Sequence, residues 1–69
     1  MMAIHRTVRV QFLRGDITEH KGTSVGEPVV KERVLQVPVR NGSASNYYNI
    51  DQLRMWSVDR EEIYTDERE

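Results

Sequence analysis

Cysteine is absent from this chain of 69 residues. Neither a disulfide framework nor a thiolate metal site can therefore stiffen its fold. Long hydrophobic runs are missing too, because no segment approaches the roughly 20 apolar residues that a membrane helix requires. The N-terminal residues 1–6 lack the charged-then-apolar order of a secretory signal. These absences predict a cytoplasmic protein that does not associate with a membrane.

The small size of the chain limits how it can be stabilised. Its length allows one domain, and a domain this short buries only about 60% of the surface that its unfolded chain exposes. Without a covalent cross-link, stability must come from a tightly packed small core or from burial against a partner, often a second copy of the same chain. We therefore expect a homo-oligomer.

The net charge of −1 conceals an uneven distribution. Residues 59–69 hold six acids and two arginines, a net charge of −4, whereas residues 1–58 hold eight bases and five acids, a net charge of +3. This break predicts a single small β domain over residues 1–58 and an acidic C-terminal tail over residues 59–69. The tail is either a solvated terminus that aids solubility or a segment that shields a basic surface or docks on a basic partner.

A β-hairpin within residues 34–50 is the strongest local signal. Asn41-Gly42 separates two strand-like runs, and a type I′ turn favours this pair because both of its central residues need a positive φ. Pairing outward from the turn sets the register. The more apolar face, predicted to be the core side, carries the pairs Val39–Ala44, Val37–Asn46 and Leu35–Tyr48. The opposite face carries Arg40–Ser43, Pro38–Ser45, Gln36–Tyr47 and Val34–Asn49.

Alternation predicts two further strands near the N-terminus. Residues 4–14 alternate with period 2, residues 17–20 can return beside them, and Gly15-Asp16 supplies the turn. Residues 21–28 contain two glycines and a proline without periodicity. They predict the main mobile loop.

The remaining strands are predicted in the second half of the chain. Residues 29–40 indicate one long strand, in which Pro38 removes a hydrogen-bond donor and marks a sheet edge or a bulge. Residues 55–58 indicate a final strand. The alternative is a helix capped by Asp51, and we prefer the strand because the residues that follow Trp56 are poor helix formers.

These elements together predict an all-β fold. We expect a small antiparallel meander of four or five strands, curled into a barrel-like domain of SH3 or OB size. Closure of this kind hides strand edges that otherwise invite pairing with another chain. The predicted core consists of aliphatic and aromatic residues, namely Val8, Val10, Phe12, Leu35, Val37, Val39, Tyr48, Ile50 and Trp56.

The residues that enzymes use are not found in a catalytic arrangement. His5 and His20 are the only histidines, and with Glu19 they fall short of the three or four converging ligands of a zinc site. The carboxylates lie mostly in the tail or on turns, and no serine occupies a Gly-x-Ser-x-Gly motif. No glycine-rich phosphate loop is present either. We therefore expect no catalytic residues, no bound metal and no cofactor.

The outward face of the hairpin is the candidate binding surface. An aromatic side chain with aliphatic neighbours and an arginine is the usual composition of an interface centre. The sequence thus predicts a non-enzymatic interaction module that binds a protein partner or itself. In being short, free of cysteine and acidic at its C-terminus, the chain resembles small all-β accessory proteins of bacteria and their phages. The candidate binding residues are Val34, Gln36, Pro38, Arg40 and Tyr47.

Nucleic acid is the alternative partner. Small β-barrels bind single strands through exposed aromatic rings that alternate with basic side chains. Tyr47 would provide one such ring and Arg40 one basic side chain on the same face, with neighbouring basic residues around them. Binding of this kind weakens steeply with salt, and the acidic tail would oppose it.

Overall fold

The N-terminal alternation produces the strand that the sequence predicts. The computed structural model describes residues 2–64, and within them β1 spans Met2–Phe12 and β2 spans Ile17–Gly22. The intervening turn is closed by hydrogen bonds from the Phe12 N–H to the Asp16 carbonyl and from the Gly15 N–H to the Phe12 carbonyl, both 2.8 Å. Gly15 has a φ of 108°, which glycine adopts without strain. Both predicted strands and their turn are confirmed.

The predicted long strand over residues 29–40 is instead two strands, and this expectation was wrong. β3 spans Val29–Lys31, β4 spans Val34–Val39, and they pair as a hairpin. Glu32 and Arg33 form the turn with φ values of 52° and 66°. Residues other than glycine rarely adopt such φ values, and neither glutamate nor arginine is a typical turn former. The sequence therefore carries no signal for this reversal.

The hairpin around Asn41-Gly42 has the predicted register. β5 spans Ala44–Asn49 and pairs with β4 from Val39–Ala44 through to Val34–Asn49. Asn41 and Gly42 have φ values of 56° and 91°, and the Ser43 N–H donates to the Arg40 carbonyl at 3.1 Å. The turn, the register and the choice of the core face are all confirmed.

Pro38 lies where β4 has a neighbouring strand on one side only. It pairs with Ser45 of β5, while the pairing of β3 with β4 ends at Gln36. The Pro38 carbonyl accepts a hydrogen bond of 2.8 Å from the Gly26 N–H. The missing proline donor therefore leaves no gap in the β3–β4 ladder.

The last strand is much longer than the sequence predicts. β6 spans Leu53–Tyr64 and pairs with β1 from Phe12–Leu53 to Met2–Tyr64, with a bulge at Arg54, which has no partner in β1. The strand interpretation is therefore confirmed and the helix alternative is wrong. Residues 59–64 of the predicted acidic tail belong to this strand, whereas residues 65–69 lie outside the described residues.

A small aliphatic core lies between the two sheets. Val25 is the one buried residue that the sequence did not assign to it, and it belongs to the connection between β2 and β3. The loop predicted over residues 21–28 begins later, because Lys21 and Gly22 are the last residues of β2. For these two residues the prediction was wrong. The buried residues are Val8, Val10, Val25, Leu35 and Val37. Packed against them, and partly buried, are Phe12, Val39, Tyr48, Ile50, Leu53, Trp56 and Val58.

The strands form two three-stranded antiparallel sheets. One has the order β2-β1-β6 and the other the order β3-β4-β5. The all-β prediction is confirmed, but six strands replace the expected four or five, and residues 2–64 do not form a closed barrel. The nonlocal pairing of β6 with β1 puts the first and last strands in one sheet. Residues 2–64 include no helix that is long and apolar enough to span a membrane.

Candidate interaction surface

The outward face of the β3-β4-β5 sheet carries an open groove. The strand pairing places Val29 beside Gln36, and Gln36 beside Tyr47. Because paired residues in an antiparallel sheet point to the same side, these side chains all face away from the core. The groove has a volume of about 310 Å³ and is called the outer groove below. Its lining residues are Val29, Lys31, Glu32, Val34, Gln36 and Tyr47.

The centre of the outer groove is apolar and its margin is polar. Tyr47 is 65% exposed, Val29 51% and Val34 37%. The Gln36 side-chain amide donates to the Ser45 hydroxyl at 3.0 Å, which fixes the polar side chain in the middle of the face. The result is a contiguous apolar surface with an oriented amide beside it.

Three of the five predicted binding residues come together in this groove. Val34, Gln36 and Tyr47 line it, whereas Pro38 lies farther along the same face and Arg40 lies at the hairpin turn. Arg40 lines a different groove of about 390 Å³, together with residues of β2 and the loop after it. Its backbone has a φ of 54°, so the strand alternation that placed it beside Tyr47 stops at Val39.

The sequence missed the contribution of β3 to the outer groove. Val29, Lys31 and Glu32 line it, but only the turn at Glu32-Arg33 brings them next to Gln36. The weak signal available was the pair Val29-Val30, which reads equally well as part of one longer strand. Without a recognisable turn, the sequence could not predict the pairing of Val29 and Val30 with β4.

The charges near Tyr47 balance. Lys31 and Glu32 carry opposite charges on the same margin of the groove. Arg33, on the adjacent turn, donates to the Asp51 carboxylate in an ion pair that lowers the pKa of Asp51 and raises that of Arg33. The surroundings of the tyrosine ring therefore lack an excess of positive charge.

The two histidines point to opposite faces of the β2-β1-β6 sheet. His5 pairs with Glu61 on the outer face, whereas His20 pairs with the buried Val8. His20 Nε2 lies 2.5 Å from the Tyr48 hydroxyl, and burial lowers the pKa of this histidine. No three potential metal ligands cluster anywhere in residues 2–64.

Three charged side chains connect the loop before β3 to the β2-β1-β6 sheet. Arg6 and Arg60 are cross-strand neighbours, and both donate to the Glu27 carboxylate. The hydrogen bond from Arg60, with support from Arg6, lowers the pKa of Glu27 to about 2. The carboxylate stabilises two arginines that would otherwise repel each other.

Acid is expected to destabilise the fold in two steps. The pKa of His20 is lower in the folded chain than its ordinary value near 6.5, so the unfolded chain binds the proton first. Stability that is present above about pH 6.5 is therefore lost as the pH falls through the lowered pKa. Glu27 adds a second loss between its ordinary pKa of 4.5 and about 2.

The midpoint of urea unfolding, measured from about pH 8 to pH 5, tests the histidine step. The midpoint should fall in the parent and in a His5→Gln control, and should fall less in His20→Gln, which keeps a hydrogen-bonding group near Tyr48. Equal slopes in the two variants would show that His20 does not carry this pH dependence.

Comparison of the chain with known proteins finds no matching family model, no matching curated protein and no matching solved structure. The function of the outer groove is therefore inferred from the chemistry of its residues and from their arrangement on the sheet.

Proposed function

We propose that this chain is a non-enzymatic interaction module that binds a protein partner through the outer groove. The observation that carries this proposal is the contiguous exposure of Tyr47, Val29 and Val34 beside the oriented amide of Gln36. Aromatic residues are enriched at the centres of protein interfaces because they bury a large area with few rotatable bonds.

The balance of buried and exposed apolar residues also supports a binding role. Ten large apolar side chains in residues 2–64 are more than a third exposed, while five are buried. Single exposed apolar residues need no explanation. A group that lines one groove is typical of a binding surface, because contiguous apolar area gains most when a partner covers it.

The form of the outer groove favours a protein over a small metabolite. Its volume of about 310 Å³ is at the lower end of the range for small-molecule pockets. It also lies open on a sheet face, where only part of a small ligand would be enclosed. Protruding apolar side chains of a partner can fill such a groove while the partner covers its polar margin.

Replacing Tyr47 with alanine should weaken partner binding by about thirtyfold or more and leave the fold intact. The side chain is 65% exposed, so we expect the free energy of unfolding to change by less than about 1 kcal/mol. Truncation of a central aromatic residue commonly costs about 2 kcal/mol or more of binding energy. A photo-reactive phenylalanine analogue at position 47, introduced in the native host cells, identifies what lies against the groove.

The matched control carries the same analogue at Ser57, an exposed position on the outer face of the other sheet. We expect a protein adduct of defined mass from position 47 alone, reproduced with the purified partner and lost on competition by the unlabelled parent chain but not by Tyr47→Ala. The same adducts from both positions would contradict the proposal. An adduct with RNA or DNA would contradict it too and would favour the nucleic-acid alternative.

A further inference from the structure

A second groove is bounded by β2, by the loop after it and by the hairpin of β4 and β5. It has a volume of about 390 Å³ and is called the polar groove below. Six of its eight lining residues have polar or charged side chains, and none of the eight is a phenylalanine, tyrosine or tryptophan. The six are Glu19, His20, Lys21, Ser24, Arg40 and Asn46.

The polar groove contains positive charge that the ion pairs of the chain leave over. Five of the nine lysines and arginines in residues 2–64 form ion pairs. Lys21 and Arg40 form none within these residues, and both line the polar groove. The one carboxylate there, Glu19, accepts hydrogen bonds of 2.9 and 2.6 Å from Arg9, which balances its charge. The groove therefore has an excess of positive charge.

Two neutral polar side chains of the polar groove have no hydrogen-bond partner within residues 2–64. They are those of Ser24 and Asn46, and both are open to solvent. Asn46 faces the core side of β5, where it pairs with the buried Val37. A polar side chain on the core side of a sheet usually has an internal partner, so the free amide calls for another explanation. A ligand in the groove provides one.

We propose that the polar groove binds a small phosphate monoester through its phosphate group. Such a group carries a charge of about −1.5 to −2 at pH 7, which matches the two cations. Its three free oxygens can accept hydrogen bonds from Arg40, Ser24 and Asn46. A carboxylate has one charge and two oxygens, so it satisfies the same groups less fully. Val25 and Val39 also line the groove and provide apolar contacts for the organic part of the ligand.

The polar groove suits a small ligand better than a nucleic-acid strand. Proteins that bind single strands stack the bases on exposed aromatic rings. Tyr47, the exposed ring that could stack a base, lines the outer groove instead. Because charge and hydrogen bonds hold the phosphate, the ligand does not need the enclosure that an apolar one requires. The proposal concerns a separate site, so it goes beyond the proposed function and does not depend on it.

Titration of the full chain with phenyl phosphate, followed by NMR of the backbone amides, tests the proposal. We expect saturable chemical-shift changes at His20, Ser24, Arg40 and Asn46. Phenyl phosphate should bind more tightly than phenyl sulfate, which carries only one charge, and more tightly than inorganic phosphate, which lacks the organic group. Tyr47→Ala should leave the dissociation constant unchanged, so that failure of this proposal and failure of the outer groove can be told apart.

Substitutions in the groove separate a site from general attraction of anions. Arg40→Gln should raise the dissociation constant about tenfold or more, because it removes a charge-assisted hydrogen bond. Asn46→Asp keeps the size of the side chain and adds a negative charge, so it should have a similar effect. Lys21→Gln, at an exposed position, should raise the constant about threefold. The matched control is Lys31→Gln, outside the polar groove, which should bind as the parent does.

Several results would overturn the proposal. Shifts that do not saturate, or equal losses of affinity in Arg40→Gln and Lys31→Gln, would indicate only general attraction of an anion. Equal affinities for phenyl phosphate and phenyl sulfate would contradict the match of charge, and equal affinities for phenyl phosphate and inorganic phosphate would contradict the monoester. A single-stranded oligonucleotide that binds this groove more tightly than phenyl phosphate would favour nucleic acid instead.

Discussion

Replacing Leu35 with alanine is expected to lower the free energy of unfolding by about 2–5 kcal/mol. Leu35 is the largest of the fully buried side chains and lies on the central strand of its sheet. A chain of 69 residues has a total stability of roughly 3–10 kcal/mol at typical values per residue. Residues 2–64 bury only five apolar side chains, so little neighbouring material is available to collapse into the cavity.

Urea unfolding followed by circular dichroism measures this loss. The control is Val34→Ala, one residue earlier on the opposite face, where the side chain is 37% exposed and the expected change is under about 1 kcal/mol. A parent-like midpoint for Leu35→Ala would mean that the two sheets do not depend on this contact. Equal losses in both variants would mean that the assigned register of β4 is wrong.

The central hairpin was predictable because its determinants are local. Asn41-Gly42 favours positive φ, and the alternation on either side then fixes which residues face the core. Leu35, Val37 and Tyr48 follow from these two facts alone. The same reasoning placed Val34, Gln36 and Tyr47 together on the outward face.

The features that the sequence did not predict depend on tertiary structure. Glu32 and Arg33 adopt positive φ although neither favours it, because the paired strands on both sides and the Arg33–Asp51 ion pair hold the turn. The length of β6 depends on pairing with β1 across about fifty intervening positions of the chain, which no local pattern encodes. Arg40 does not line the outer groove as predicted, because its left-handed backbone ends the strand alternation.

Replacing Val25 with threonine is the second change for which we expect a large effect. Val25 lies in the connection between β2 and β3. This residue is 4% exposed. The residues on both sides of it form backbone hydrogen bonds to β4 and to the turn between β4 and β5. The Asn41 N–H donates to the Ser24 carbonyl at 2.9 Å, and the Gly26 N–H donates to the Pro38 carbonyl at 2.8 Å. We expect Val25→Thr to lower the free energy of unfolding by about 1–3 kcal/mol, because it keeps the shape but buries a hydroxyl among aliphatic side chains.

The reverse exchange two residues earlier is the matched control. Thr23→Val swaps the same two side chains at an exposed position, and its effect on the free energy of unfolding should stay within about 0.5 kcal/mol. Both variants are measured by urea unfolding beside the parent. Similar, small effects in the two variants would mean that the connection covers the core only loosely. A large loss confined to Val25→Thr would show that a segment without periodicity supplies a core residue. The hydrogen bonds of the neighbouring residues to β4 and to the hairpin turn position that residue.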